Sequence, residues 1–140
     1  MATMTDAERD AFLATPRLGM FSTLEAGGAP VTVPVWFEWN GRVARVFSGA
    51  ASGKVRRIER DARASLLVPN NVGEPEAWVA FEGDVLIVAE GAIELAERLA
   101  DRYWDMDDAV HRKELDSWRT AAGSLRVLEL RPRRIRSSIG

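Results

Sequence analysis

The residues best suited to chemistry lie in the segment VARVFSGAASGKVRRIERDARA, from Val43 to Ala64. A β-like run ends there in small residues, and a helical pattern rich in arginine begins beside Lys54. Amides in the first turn of a helix have no partner within the helix, and the helix dipole favours negative charge there. The segment therefore predicts an anion site with Ser52 and Lys54 as side-chain donors. A solvated basic helix face is the alternative interpretation.

The piece GAASGKV is similar to the phosphate loop of nucleoside triphosphatases but departs from that pattern twice. Ser48 stands where the first glycine is required, and Val55 stands where serine or threonine is required. We therefore exclude a nucleoside triphosphatase. A charge-assisted hydrogen bond to one phosphate contributes about 1.5–3 kcal/mol, whereas micromolar binding requires about 8 kcal/mol. An apolar, ring-shaped part of the ligand would have to supply much of the remaining binding free energy.

A strand predicted at Val31–Trp39 (VTVPVWFEW) precedes this segment and is joined to it by a predicted hairpin at Asn40-Gly41. Alternate residues from Val31 to Trp39 share one face, so Pro34 and Trp36 fall on the other. Proline is confined to edge strands and bulges, and a tryptophan does not suit a solvated face. Two interpretations stay open: a strand buried on both sides with a bulge, or a face that meets a partner subunit or a planar ligand.

The elements that must position these residues form a mainly β pattern with flanking helices. Helices are predicted at 5–13, 52–61, 90–104 and 108–121, and strands at 18–25, 31–39, 42–47, 64–69, 77–88, 125–130 and 134–138. The last two strands are predicted to be separated by a break at Pro132, and Gly83 is predicted to mark a bulge. Six to seven mostly antiparallel strands of this length tend to close into a small barrel, because closure removes exposed edges.

Composition narrows the class of protein further. The 140 residues fit a single domain, 1–140, and a net charge of −2 argues against a general nucleic-acid binder. The chain has no cysteine and one histidine, which excludes disulfides and thiolate catalysis and argues against a zinc site or a Ser-His-Asp hydrolase. No signal peptide and no membrane span are predicted. We expect a soluble, cytoplasmic protein that binds neither membrane nor nucleic acid and holds no metal.

The order of these segments resembles the pyridoxamine-phosphate-oxidase-like split β-barrel proteins, the flavin/deazaflavin oxidoreductase superfamily. The resemblance rests on RLGMFSTLEAGGAPVTVPVWFEWNG, SGAASGKVRRIERDARASLLV, WVAFEGDV and LRVLELRPRRI, and covers the chain from about Phe12 to Ile135. It implies an FMN-binding-like split β-barrel that forms a homodimer, with two cofactor sites at the subunit interface.

The same resemblance implies the residues that contact the cofactor. Val33, Pro34, Val35 and Trp36 would lie along the ring system, and Phe47, Ser48 and Gly49 under the ribityl chain. The Ser-x-Lys segment Ser52, Gly53 and Lys54, with Arg57 nearby, would hold the phosphate, and Trp78 of the other subunit would close the pocket. No catalytic side chain is predicted.

The cofactor implied is FMN or coenzyme F-420, because GKVRRIERDARAS and YWDMDDAVHRKELDSW are similar to the deazaflavin-using branch. The activity implied is an oxidoreductase that transfers a hydride between this cofactor and a small organic substrate. The chain lacks the longer N-terminal part and the C-terminal signature of the pyridoxamine phosphate oxidases, so their own activity is not expected. The alternatives are a non-catalytic flavin, deazaflavin or haem carrier on the same fold, and a structural dimeric domain whose basic strip meets another macromolecule.

Overall fold

The computed structural model describes all 140 residues and contains one antiparallel sheet of seven strands with four helices. The helices are α1 (Asp6–Ala14), α2 (Gly53–Arg60), α3 (Ala92–Tyr103) and α4 (Ala109–Thr120), followed by a 3-10 turn at Ala122–Ser124. The strands are β1 (Gly19–Leu24), β2 (Pro30–Val35), β3 (Glu38–Trp39), β4 (Ala44–Gly49), β5 (Arg63–Pro69), β6 (Ala77–Val88) and β7 (Leu125–Ile139). None of the helices has the length and apolar character needed to cross a membrane.

Local sequence signals account for the helix starts. Thr5 accepts a hydrogen bond from the Glu8 amide at 3.1 Å, and the Glu8 carboxylate accepts one from the Thr5 amide at 2.9 Å. This reciprocal capping box fixes the beginning of α1. Ser52 caps α2 and Asp108 caps α4 in the same manner, through a side-chain oxygen that accepts from an amide in the first turn. The predicted mainly β fold with four helices is confirmed.

The strand order is β2-β1-β5-β6-β7-β4-β3, which places β2 and β3 at opposite edges of the sheet. Only Trp36 and Phe37 separate these two strands along the chain. Three residue steps reach at most about 11 Å, so the two edges must approach each other and the sheet curls into a barrel. The prediction of one continuous strand over Val31–Trp39 is wrong, because the chain leaves β1 after Val35 and then joins β4. Pro34 lies on an edge strand, where its missing amide costs no hydrogen bond.

The long pair of β6 and β7 contains the bulge predicted at Gly83. Gly83 lies opposite Pro132 whereas Glu82 lies opposite Arg134, so Arg133 is the extra residue of β7. The predicted break at Pro132 is wrong, because β7 continues through it for 15 residues in all. The bulge accommodates a proline, which has no backbone N–H to donate to the partner strand. A Cβ atom at position 83 would collide with the carbonyl oxygen of Arg131, so the close approach of the two strands requires glycine there.

Two apolar clusters hold the elements together. The larger fills the barrel and includes the fully buried side chains Phe21, Phe37, Phe81 and Leu66. Burying a side chain of this size contributes about 1.5–3 kcal/mol. The second lies between α3 and the strands β4 and β7, and consists of Ala92, Leu95, Leu99, Leu125 and Val127. Partly buried aromatic residues pack around this second cluster, and they form the surroundings of the candidate site.

Candidate functional site

A cavity of about 420 Å³ opens between the end of β2, the start of α2 and the segment that joins α3 to α4. We call it the tryptophan cavity; it is lined by Leu18, Pro34, Val35, Trp36, Phe47, Lys54, Trp104 and Trp118. Its volume lies within the range of about 300–1,000 Å³ that is usual for small-molecule sites. Lys54 carries the only charge in this lining. The cavity therefore combines broad apolar walls with a single cation.

The beginning of α2 presents free hydrogen-bond donors beside this cation. Ser48 donates to the side-chain oxygen of Ser52 at 2.8 Å, and that oxygen accepts from the Val55 amide at 3.2 Å. The preceding two amides of α2, on Gly53 and Lys54, make no hydrogen bond within the protein. Free amides at a helix start, together with a lysine, form a ready anion site.

The electrostatics of Lys54 also favour an anion. The side chain is half-buried and forms no ion pair with any carboxylate. Burial lowers the pKa of Lys54 below its ordinary value of 10.5, and the neighbouring charge of Arg57 lowers it further. Arg57 is held in place by its Nε, which donates to the hydroxyl of the buried Thr23 at 2.7 Å. A bound anion would relieve both effects on the ammonium group.

Five rings cluster at one side of the cavity, and we call them the aromatic wall: Trp36, Phe47, Trp104 and Trp118 of the lining, and Tyr103, which stacks on Trp36. Trp36 lies parallel to Tyr103 at a centroid distance of 5.2 Å and perpendicular to Trp104 at 4.7 Å. Trp118 stacks on Trp104 at 5.3 Å and meets Phe47 edge-on at 5.2 Å. The sequence left open what Trp36 contacts. Rings of the same chain cover much of its side chain, and the remainder of that side chain lines the cavity.

The structure gathers five of the twelve predicted site residues in the lining: Pro34, Val35, Trp36, Phe47 and Lys54. Ser48, Gly49, Ser52, Gly53 and Arg57 form the loop and helix start beside Lys54 without lining the cavity. Val33 lies opposite the buried Phe21 and faces the barrel interior. Trp78 lies on β6 beside a separate cavity of about 370 Å³, where its ring meets the guanidinium of Arg136.

Sequence reasoning missed three residues of the lining, namely Leu18, Trp104 and Trp118. Trp104 and Trp118 belong to different helical elements, and nothing in their spacing indicates that they stack. The available signal was the density of aromatic residues in the acidic insertion, from Tyr103 to Trp118, which ordinary core packing explains equally well. Leu18 precedes β1 and is 46% exposed, an unusual fraction for a leucine next to a buried strand.

A larger cavity of about 620 Å³ lies between α1, α3 and the β3–β4 hairpin. Its charged groups already have hydrogen-bond partners within the protein. Arg98 donates twice to Glu38, at 2.8 and 3.0 Å, and the indole of Trp39 donates to Asp10 at 3.0 Å. Arg102 has no carboxylate partner, but it already donates to the carbonyls of Leu13 and Ala14, at 2.8 and 3.1 Å, so we take the tryptophan cavity as the candidate functional site.

A seven-stranded antiparallel sheet that closes through a two-residue link, with a cavity beside its closing strand, defines a split β-barrel protein. The chain belongs to the pyridoxamine 5'-phosphate oxidase family, whose sequence model matches residues 5–138. The resemblance drawn from the sequence is confirmed.

Solved structures agree with this assignment. A conserved hypothetical protein of Mycobacterium tuberculosis is 25% identical, with a TM-score of 0.76 over 97% of this chain and 85% of that chain. A protein named F420 reductase is 22% identical, with a TM-score of 0.72 over 90% and 94%. A FAD-binding protein of Mesorhizobium loti is 19% identical, with a TM-score of 0.65 over 97% and 93%. At these identities the last two share the fold. No curated protein matches the chain.

Proposed function

We propose that this protein is an oxidoreductase that binds FMN or coenzyme F-420 in the tryptophan cavity and transfers a hydride to or from a small organic substrate. The observation that carries the proposal is Lys54, a half-buried cation without a carboxylate partner, which faces otherwise uncharged walls beside the free amides of α2. A ligand that complements this site has a flat apolar body and an anionic end. A flavin or deazaflavin has both, and the family and fold neighbours are consistent with it.

A bound flavin or deazaflavin would supply the hydride chemistry, and the chain's residues would bind and orient it. The ammonium of Lys54 and the amides of Gly53 and Lys54 would hold its phosphate. Pro34 and Val35 would lie along its ring, and the aromatic wall would exclude water from the reacting face. The lining contains no pair of titratable groups that could act as general acid and base, which fits chemistry carried by a cofactor.

A non-catalytic carrier of the same cofactor is the second candidate, because a lining without acid–base residues suits binding as well as hydride transfer. A haem carrier is less well supported. The cavity lining contains none of the side chains that commonly ligate haem iron, such as histidine, cysteine, methionine or tyrosine. Turnover of an added substrate by the loaded protein distinguishes an enzyme from a carrier.

The proposal is tested by titrating the full chain with FMN and, separately, with coenzyme F-420, and by following the absorption and fluorescence of each ligand. We expect at least one of the two to bind with a dissociation constant in the micromolar range or below. Failure of both to bind at high micromolar concentration would refute the proposed function.

We also propose that a second copy of the chain covers the outer face of the sheet. Met20 lies opposite both Pro34 and Leu67 in register, and Pro69 lies opposite Trp78, so apolar groups continue across four strands. Leu67 is 40% exposed on this face. Exposed apolar areas of this kind are typical of protein interfaces. Pro34 also lines the tryptophan cavity, so a partner seated here would border the cofactor site.

Replacing Leu67 by arginine is expected to dissociate this dimer. The substitution removes a central apolar contact and places a charge in the middle of the interface. The dissociation constant of the dimer should therefore rise at least about 30-fold, as for a residue that contributes ~2 kcal/mol at an interface. Light scattering at micromolar concentration measures the outcome. Val72→Arg is the matched control, because Val72 is fully exposed in the loop after β5 and should leave the dimer intact. A monomeric wild-type chain would contradict the dimer.

A further inference from the structure

The stretch from Asp105 to Ala121, which we call the α4 segment, is attached to the rest of the protein by side chains alone. All its hydrogen bonds stay within the segment or run to the adjoining Ser124. Arg112 of α4, for example, donates to the carbonyls of Met106 and Asp107, at 3.0 and 2.7 Å. These hydrogen bonds connect the linker between α3 and α4 to the helix α4. Linker and helix therefore form one unit that no backbone ladder ties to the barrel.

Burial within this unit is also slight. Leu115 is the only buried residue among the twelve of α4, whereas five of the twelve residues of α3 are buried. One ion pair reaches outside the unit, from Arg119 to Glu97 at 3.6 Å, and both of its side chains are nearly half exposed. Exposed ion pairs of this kind stabilise little, because water and salt screen them.

Aromatic packing provides further attachment beside the buried Leu115. Trp118 contacts Phe47 of β4 and also Trp36 and Trp104. The imidazole of His111 stacks on Trp104 at 4.4 Å, with the rings nearly parallel. Trp104 is the C-cap of α3, and its amide donates to the carbonyl of Ala100 at 2.8 Å. The unit thus contacts the rest of the protein through rings that also line the tryptophan cavity.

We propose that the α4 segment is a hinged wall of the tryptophan cavity, latched by Trp118, that swings away to admit the ligand and closes on it. Its pivots are the extended backbone at Trp104 and the 3-10 turn that contains Gly123, where a Cβ atom would meet no neighbour. Segments with few buried contacts and no hydrogen bonds to their surroundings open locally at low free energy. This inference rests on the proposed function, because it assigns the moving wall to the cofactor site.

Hydrogen–deuterium exchange of the full chain, followed by mass spectrometry, tests the hinge without any ligand. Amides of α4 are expected to exchange at least about tenfold faster than those of α3 in the wild-type chain. Trp118→Ala should speed exchange in α4 a further tenfold or so, because it removes ring contacts with three partners, and should leave α3 within about twofold. Trp39→Ala is the matched control, since Trp39 packs against Phe81 and Arg9, away from the tryptophan cavity, and should not change α4. Equal protection of α4 and α3 in the wild type would overturn the hinge.

Glu97→Gln provides a second variant if Trp118→Ala does not fold. It removes the ion pair with Arg119, leaves the pair of Arg119 with Asp116 inside α4 intact, and should speed exchange in α4 by about two- to threefold, within the range of an exposed pair. Saturating FMN or coenzyme F-420 should slow exchange in α4 relative to the free chain. Binding without protection of α4 would overturn the hinged wall alone, whereas no binding of either ligand would overturn the proposed function itself.

Discussion

Lys54→Ala is expected to weaken the binding of FMN or coenzyme F-420 by about 10- to 150-fold, the equivalent of a charge-assisted hydrogen bond worth ~1.5–3 kcal/mol. Lys54 is the only charged residue in the lining of the tryptophan cavity and has no carboxylate partner, whereas the neighbouring Arg57 is held by its hydrogen bond to Thr23. The removal of Lys54 should leave stability almost unchanged, because the folded chain gains no ion pair from it.

Fluorescence titration of the two proteins side by side measures this loss. Lys113→Ala is the matched control, because Lys113 is the only other lysine of the chain and lies exposed on α4. The affinity of the wild type should also fall as pH rises toward 10.5, since burial lowers the pKa of Lys54 and the ammonium loses its charge earlier than an ordinary lysine does. Equal affinities of the wild type and Lys54→Ala would show that the phosphate of the ligand binds at another part of the surface.

Phe37→Ala is expected to lower the free energy of unfolding by about 3–5 kcal/mol, the usual cost of truncating a fully buried phenylalanine. Phe37 has no exposed surface and lies in the two-residue link that closes the barrel. Its ring packs near Gly19, where an added Cβ would approach it to 3.3 Å. The adjacent Trp36 belongs to the aromatic wall, so Phe37 is the residue of the link that packs in the barrel interior.

Urea denaturation followed by circular dichroism measures the effect. Leu86→Ala is the control, because Leu86 is an apolar residue of β6 with 45% of its surface exposed, and its truncation should cost less than about 1 kcal/mol. A loss below about 1.5 kcal/mol for Phe37→Ala would contradict the role of the link, since it would mean that the edges of the sheet close without this side chain.

Local chemistry made much of the fold predictable. The starts of α1 and α2 and the glycine of the bulge at position 83 each depend on a few neighbouring residues, and each was found within one or two residues of its predicted place. The hypothesis of an anion site at the start of α2 rests on the same kind of local signal, because a strand end, small residues and a capped helix with a lysine are contiguous in the chain. Membership of the split-barrel family followed from the order of such segments.

The errors lie where distant parts of the chain meet. Pro132 interrupts a strand by its own chemistry, yet β7 continues through it because Gly83, far away in sequence, provides a bulge opposite. The run VTVPVWFEW has the alternation of a single strand, yet it divides at Trp36 and Phe37 because its two halves pair at opposite edges of the sheet. In both cases the partner strand, not the local sequence, decides the outcome.

The sequence by itself thus determined that the chain forms a small β-barrel, and it indicated Lys54 as a candidate phosphate ligand. Only the tertiary structure decided which residues line the cavity together with Lys54. Closure of the barrel carries Trp36 to the second apolar cluster, and the side-chain packing of α4 then sets Trp104 and Trp118 against it. Ring stacking between separate elements leaves no periodic signal in the sequence, because it depends on how helices cross and strands curl.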